Sequence, residues 1–229
     1  MKARPIPFSA PMVRALLDGR KSQTRRVVKP QPDQSLDYVR MMFDWNGKAQ
    51  AEFETPPGYH TPLMYHPLCP YGKPGDLLWV KEAWRAKHWW DDHPPREITD
   101  QSPIDYKPYE DGGEWGRARH ARFMLRRMSR MTLEITTVRV ERLEDISEAD
   151  AKAEGFSPGW MGDALPETPI GGGFTISSPG TYASSAGHFQ AYWCELHGYD
   201  AWEASPWVWV LEFKVHQQNV DELLKARAA

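Results

Sequence analysis

A basic turn near the start of the chain carries the residues best suited to chemistry. Lys21 lies in it, and the hydroxyl of Thr24 follows three positions later. Because a guanidinium stays charged, neighbouring arginines make it costly to protonate Lys21 and so lower its pKa. A neutral lysine amine can take the proton of a nearby hydroxyl. The flanking arginines are Arg20, Arg25 and Arg26. The pattern therefore predicts a pair in which Lys21 activates Thr24 as a nucleophile.

The same turn also fits a simpler interpretation, in which Lys21 keeps its charge and Thr24 only forms hydrogen bonds to a phosphate. Spacing alone favours this phosphate-binding interpretation. A second basic segment, residues 117–130, contributes Arg126 and Arg127 as further candidate phosphate contacts. On a protein with little net charge, such clusters can bind one phosphate-bearing ligand or a short strand of nucleic acid. They can also be ordinary solvent-exposed arginines without a ligand.

Composition limits the classes of protein to consider. The chain has 229 residues, 41% of them hydrophobic and 26% charged, which is typical of a folded globular protein. A net charge of −3 argues against a protein that coats DNA. There is no apolar run long enough to span a bilayer and no signal peptide, so we expect a cytoplasmic protein with no membrane partner.

Metal and cofactor chemistry is not expected. Cys69 and Cys194 stand alone, and the 8 histidines show no metal-ligand spacing. The sequence therefore predicts no structural metal and no cofactor, and it leaves the oligomeric state open.

Beyond the basic turn, short predicted strands and helices alternate along the chain. The helix before the turn has Ser9 as its N-terminal cap and ends before Gly19. In residues 131–143 the apolar side chains move from one face of the strand to the other partway along, so we expect a bulge there. Residues 6–8, 24–28, 77–84, 131–143 and 207–215 are predicted strands, and residues 10–18, 147–154, 186–196 and the tail after Asn219 are predicted helices. This order favours an α+β fold built on a small mixed barrel rather than a βαβ sheet.

The predicted domain organisation is simple. Residues 1–216 form one domain and residues 217–229 a tail. Three Pro- and Gly-containing segments without clear periodicity are predicted as long loop insertions, near 31–70, 85–120 and 156–185.

Several motifs resemble one known family. A helix leads into Gly19-Arg20-Lys21-Ser22, then Thr24 and Arg26, and Pro74-Gly75-Asp76 precedes a strand. The other shared motifs are Phe8 to Ala15, Gln23 to Val28, Ile146-Ser147-Glu148 before a helix that ends at Glu154-Gly155, Pro206 to Val210, and Glu212-Phe213. Together they resemble the ASCH domain of the PUA-like superfamily, and the whole chain is similar to ASCH-like proteins carried by prophages. The resemblance covers both ends and all the predicted strands but not the three loops, and it implies a PUA-like β-barrel with short flanking helices.

One branch of that family comprises small amidohydrolases that deacetylate N4-acetylcytidine through a lysine, a threonine and a glutamate. The resemblance implies Lys21, Thr24 and Glu154 for these positions. Thr24 would attack the acetyl carbonyl, Lys21 would accept its proton, and Glu154 would orient or protonate the leaving amine. The chain is about twice as long as those minimal enzymes, so its inserted loops could reshape the pocket.

Two alternatives remain open at this stage. The first is a non-catalytic PUA-like module that binds RNA or a modified base, and the second is a ribonuclease that uses the same basic cleft. In each case the expected partner is a nucleoside or a nucleic acid, with RNA favoured over DNA. In the binding module, Arg20, Arg25, Arg26, Arg126 and Arg127 would contact phosphate.

Overall fold

The computed structural model describes residues 2–33, 38–44, 46–55, 64–106, 113–157 and 184–228. Most of the predicted loop at 156–185 lies outside these ranges. Two β-sheets and five α-helices make up the described part of the chain, which is an α+β fold.

The elements follow one another in a simple order. The strands are β1 (Ala3–Pro7), β2 (Gln23–Val27), β3 (Tyr38–Phe43), β4 (Ala49–Glu54), β5 (Met64–Tyr65), β6 (Leu77–Lys81), β7 (Thr132–Arg142) and β8 (Trp207–His216). The helices are α1 (Ala10–Leu17), α2 (Glu148–Ala153), α3 (Ser185–His197), α4 (Tyr199–Glu203) and α5 (Val220–Ala228). Five of these strands and four of these helices coincide with predicted elements to within a few residues; β3, β4, β5 and α4 were not predicted.

The main sheet has five strands in the order β1-β6-β7-β8-β2. Only β1 and β6 pair in parallel, and the other neighbours are antiparallel. The register between β7 and β8 shifts between Ile135 and Thr137, which confirms the predicted bulge. In the described part of the chain, backbone pairing leaves β1 and β2 as the two sheet edges and does not close a barrel.

A second, antiparallel sheet is formed by β3, β4 and β5 inside the segment predicted as the 31–70 loop. Residues 44–48 connect β3 to β4, and Asn46-Gly47 in that loop is a strong hairpin signal. Ala49, Ala51 and Phe53 are buried, and Phe53 makes an edge contact with Trp207 of the main sheet at 5.2 Å between ring centroids. The segment therefore contributes to the hydrophobic core, because one face of its sheet packs against the main one.

The predicted loop at 85–120 is also packed. Trp84, Met124 and Met128 are buried in a separate apolar cluster with Ile98, and an isolated β-bridge joins Trp84 to Arg119. The described part of this segment is therefore packed around its own small apolar cluster.

The first helix is explained by its sequence. Pro11 lies in the first turn, where a missing N–H costs nothing, and Val13 and Leu16 bury the apolar face. Gly19 adopts φ +72°, a left-handed conformation that ends the helix and turns the chain into the residues before β2.

Candidate active site

The turn at residues 20–22 is fixed by backbone hydrogen bonds to three elements. The amides of Arg20 and Lys21 both donate to the Ala15 carbonyl, at 2.9 and 3.0 Å. The Ser22 amide donates to the Ala153 carbonyl at 2.8 Å, and its carbonyl accepts from Phe213 of β8. The turn is thereby joined to α1, to the end of α2 and to the main sheet.

Glu154 is delivered to this turn by α2. Ser147 caps the helix by accepting a hydrogen bond from the Asp150 amide, and Glu154 is the residue at the other end. Gly155 follows with φ +101°, and a Cβ built on it would lie 2.9 Å from the Ala15 Cβ and 3.4 Å from the Lys21 Cβ. Only glycine allows α2 to end this close to α1, because any side chain would collide there.

Lys21 and Glu154 meet as the turn and the helix end come together. Lys21 Nζ lies 2.6 Å from Glu154 Oε2 and 2.9 Å from the Glu154 carbonyl oxygen. Both residues are almost fully buried, with relative exposures of 2% and 3%. The fold thus brings together two of the three residues predicted for catalysis, 133 positions apart in the sequence, and their catalytic roles stay predictions.

Burial is the main influence on the amine. It lowers the pKa of Lys21 below the ordinary 10.5, since a charged ammonium is poorly solvated there. Glu154 opposes this shift, whereas the charges of Arg26 and Arg25 add to it. The amine therefore releases its proton more readily than an exposed lysine does, as a general base must.

Arg25 lies on the opposite side of the Glu154 carboxylate. Its Nη1 is 3.4 Å from Glu154 Oε1, and its Nη2 is 2.8 Å from Glu141 Oε2 and 3.6 Å from Asp150 Oδ2. The Arg25 side chain is fully buried, so its charge is held inside by these carboxylates rather than offered to solvent. This placement favours a positioning role for Arg25 over the predicted phosphate contact.

Arg139, which is partly exposed, extends this network toward the surface. Its guanidinium donates to Asp150 at 2.7 Å, to Gln23 at 3.0 Å, and to Glu141 and Glu212. The sequence analysis did not single out Arg139, although its position on a strand between acidic residues is a weak signal of such a network. Two arginines thus share two carboxylates beneath Glu154 and hold the end of α2 in place.

Thr24 lies in β2, next to this network but on the other face of the strand. Successive side chains of a strand alternate, so Gln23 and Arg25 face the carboxylates while Thr24 shares the side of Arg26. Thr24 is 3% exposed, and within the described ranges its hydroxyl forms no hydrogen bond. The guanidinium of Arg26 and the amine of Lys21 both lie over the ring of Phe8, at 5.0 and 5.7 Å.

The other predicted phosphate contacts divide into two groups. Arg20 is half-exposed beside the turn, where it pairs with Asp18 at 2.9 Å and donates to the Gly155 carbonyl. Arg26 is also partly exposed and donates to the Pro7 carbonyl at 2.7 Å. These two arginines remain close to Lys21 and Glu154.

Arg126 and Arg127 lie elsewhere. Arg126 pairs with Asp221 of α5 at 2.6 Å, and Arg127 pairs with Asp100 at 2.5 Å and donates to the Ile98 carbonyl. Neither contacts Lys21 or Glu154 in the part of the chain that the structure describes. Their charges serve to attach α5 and the segment near residue 100 to the rest of the fold.

Elsewhere in the described part of the chain, the surface was compared with the Lys21 site for a depression and for metal ligands. An open depression of about 220 Å³ is lined by Arg127, Tyr106 and neighbouring residues, none of which belongs to the Lys21 site. Among the described residues, no three His, Cys, Asp or Glu side chains are grouped to hold a metal ion. Within the same ranges, none of the helices has both the length and the apolar character needed to cross a bilayer.

Comparison with known proteins returned no relative. No family model matches the chain, and no match was found among curated proteins or among solved structures. A function for the chain is therefore inferred from the geometry around Lys21.

Proposed function

We propose that the chain is an amidohydrolase that removes an acyl group from a modified nucleobase, with N4-acetylcytidine as the reference substrate. The observation that carries the proposal is the buried contact between Lys21 and Glu154, with 2.6 Å between Nζ and Oε2. Thr24 follows Lys21 by three residues in the sequence. A structural lysine is rarely buried, because desolvating its charge is expensive. Burial that lowers a lysine pKa is a common feature of catalytic sites.

In the proposed reaction, the Thr24 hydroxyl attacks the acetyl carbonyl while the neutral Lys21 amine takes its proton. The bond between the carbonyl carbon and the base nitrogen then breaks, and the nitrogen receives a proton from Lys21. Glu154 holds the amine in place through both its carboxylate and its carbonyl oxygen, which leaves fewer orientations open to the lysine. Water attacks the resulting Thr24 ester, and Lys21 again serves as the base, so that acetate leaves and the hydroxyl is restored.

The fold that we propose for this site is the PUA-like one of the ASCH family. One contact supports a sheet that curves toward closure: Arg26, on edge strand β2, donates to the Pro7 carbonyl at the end of edge strand β1. Helix α1 bridges the same two strands in sequence. Next to Pro7, the Phe8 ring lies under both the Arg26 guanidinium and the Lys21 amine.

The binding-only alternative has less support from the side chains. Of the five arginines assigned to phosphate, Arg25 is buried among carboxylates, and Arg126 and Arg127 are paired with aspartates. Only Arg20 and Arg26 remain partly exposed beside the site. The proposed substrate is accordingly a nucleoside or a single modified base, free or within RNA.

The test is release of cytidine from N4-acetylcytidine by the purified chain, followed by chromatography. We expect turnover by the wild type, loss of at least about 100-fold in Thr24→Val, and retention of partial activity in Thr24→Ser. Thr136→Val is the matched control, since Thr136 is exposed on β7. Absence of release by a folded wild-type protein, or equal release by Thr24→Val, would overturn the proposal.

A further inference from the structure

An exposed aromatic side chain is connected to the Lys21 site by three direct contacts. The Lys21 amine lies over the Phe8 ring at 5.7 Å, and the Phe8 amide donates to the Lys81 carbonyl at 2.9 Å. The Lys81 amine in turn donates to the Arg122 carbonyl at 2.5 Å. The next residue is Phe123, which is 49% exposed. Phe123 therefore projects from a segment that is attached to the same end of β1 and β6 as the Lys21 site.

The backbone that carries this ring is fixed in place. Phe123 belongs to a single turn of 3-10 helix, Ala121–Phe123. Ala121, two positions before the ring, and Met124, directly after it, are buried at 7% and 1% exposure. The Met124 amide donates to the Ala121 carbonyl at 2.9 Å, and the Phe123 amide donates to the His120 carbonyl at 3.0 Å. A ligand that covers the ring therefore does not have to order the turn beneath it, which lowers the entropy cost of binding.

Two cations lie beside the ring. The Arg122 guanidinium is 4.7 Å from the centre of the Phe123 ring, and Arg122 is itself exposed. The second cation is Lys81, whose amine is bonded to the Arg122 carbonyl. Within the described ranges neither of these cations is paired with a carboxylate, whereas Arg126 and Arg127 of the same segment pair with aspartates. Their positive charge therefore stays available to a phosphate.

This combination has the chemistry of a surface for single-stranded nucleic acid. An unpaired base stacks on an exposed aromatic ring or on a guanidinium plane, and nearby cations contact the phosphates. The bases of a duplex are already stacked on one another, so they cannot lie on such a ring. One exposed ring alone is common on protein surfaces. The argument here is the conjunction of a fixed ring, two unpaired cations and a direct connection to the Lys21 site.

We infer that Phe123 and Arg122 form a stacking platform for a base that flanks the modified one, so that the substrate is a modified base within a short single strand of RNA. The strand is RNA because the reference substrate is a ribonucleoside. Most of the affinity comes from stacking, and few counterions are released. This inference rests on the proposed function, since it names the form in which the substrate reaches the same site.

The test is binding of an unmodified, fluorescently labelled single-stranded RNA of about 9 nucleotides, a length typical of one small binding domain. Fluorescence anisotropy measures the dissociation constant. Phe123→Leu keeps an apolar side chain and removes the ring, so it should weaken binding at least about 5-fold, as expected when one stacked base is lost. Phe123→Tyr keeps the ring and should bind within about 2-fold of the wild type. A duplex of the same sequence should compete poorly, because its bases are already stacked.

The control is Tyr199→Leu, which removes a ring that is 76% exposed on α4, outside this chain of contacts. It should bind the RNA as the wild type does. Unchanged binding in Phe123→Leu, an equal loss in Tyr199→Leu, equal competition by the duplex, or no binding by the wild type would overturn the inference. Turnover of N4-acetylcytidine by a wild type that binds no RNA would reject the platform and leave the amidohydrolase standing. Phe123-dependent binding of RNA without any turnover would do the reverse.

Discussion

At the scale of single residues, the central feature is a lysine and a glutamate that are buried together. Lys21 and Glu154 are each at most 3% exposed, and each satisfies the charge of the other. A pair of this kind contributes little to stability compared with a well-packed apolar pair, but removing one partner leaves a buried charge. The arrangement therefore costs stability, which fits a site kept for chemistry.

The first prediction concerns that cost. Lys21→Met should destabilise the fold by about 3–5 kcal/mol, because Glu154 would keep only its 3.4 Å contact with Arg25 as charge compensation. The double variant Lys21→Met/Glu154→Gln should recover part of the loss. Unfolding in urea measures both. Lys152→Met is the matched control, since Lys152 is exposed on α2, and it should change stability by less than about 0.5 kcal/mol. Equal effects at positions 21 and 152 would contradict the buried-pair argument.

The second prediction is the pH dependence of stability that follows from Lys21. Its pKa is lowered on folding, chiefly by burial, so the unfolded chain binds more protons than the folded chain between the folded pKa and 10.5. Stability rises with pH wherever the unfolded state binds more protons. The free energy of unfolding of the wild type, relative to Lys21→Met/Glu154→Gln, should therefore increase as the pH rises toward 10.5. A difference that stays flat or falls over that range would mean that Lys21 is not destabilised as an ammonium.

At the scale of elements, the site depends on how closely two helices approach. The end of α2 lies against α1 at Gly155, and the turn before β2 lies between them. The sequence predicted both helices, their caps and the strands around them, because residues such as Ser147, Gly19 and the alternating residues of β7 carry strong local signals. It did not predict β3 or β4, since Ala49 and Ala51 fill the inward positions of β4 with a small side chain that gives little periodic signal.

The third prediction tests the helix approach. Gly155→Ala places a Cβ at φ +101° and 2.9 Å from the Ala15 Cβ, so it carries both backbone strain and a steric clash. We expect a loss of about 2–4 kcal/mol and a fall in deacylation, because Glu154 is displaced from Lys21. Gly75→Ala is the control: it shares a positive φ of +87° but has no atom within 4 Å of the added Cβ, so it should show the strain alone, about 1 kcal/mol. Equal losses in the two variants would show that the approach at Gly155 is not tight.

At the scale of the whole molecule, the partners of the charged side chains are set by contacts between distant parts of the chain. The contacts of Arg139 with Gln23 and of Tyr192 with Ser9 span 116 and 183 positions, and no local pattern in one sequence could have predicted them. Arg126 and Arg127, for which the sequence predicts phosphate contacts, pair with Asp221 and Asp100, and these pairs link separate segments of the chain. Residue types predicted a Lys21–Thr24 pair, the resemblance added Glu154, and the catalytic roles of all three stay predictions, whereas the partners of each arginine depended on the fold.

The fourth prediction follows from that pairing. Of the five arginines predicted to contact phosphate, Arg20 and Arg26 are the two that are at least partly exposed beside the Lys21 turn, so binding of a single-stranded RNA should release few counterions. The logarithm of the binding constant should fall with the logarithm of salt concentration with a slope of about −1 to −2, as for two phosphate contacts on a single strand. Titrations at several salt concentrations measure the slope. A slope steeper than about −4 that is reduced by Arg126→Ala and Arg127→Ala would instead favour a polymer-binding surface.

The most direct test is whether an acetyl group is transferred to Thr24 when the chain is mixed with N4-acetylcytidine. Rapid acid quench, proteolysis and mass spectrometry should find an acetyl group on the peptide that contains Thr24, with cytidine released at the same rate. In Thr24→Val neither the adduct nor the cytidine should form. Cytidine released without any acetyl on Thr24, at a rate that Thr24→Val does not change, would contradict the assignment of Lys21, Thr24 and Glu154 as one catalytic unit.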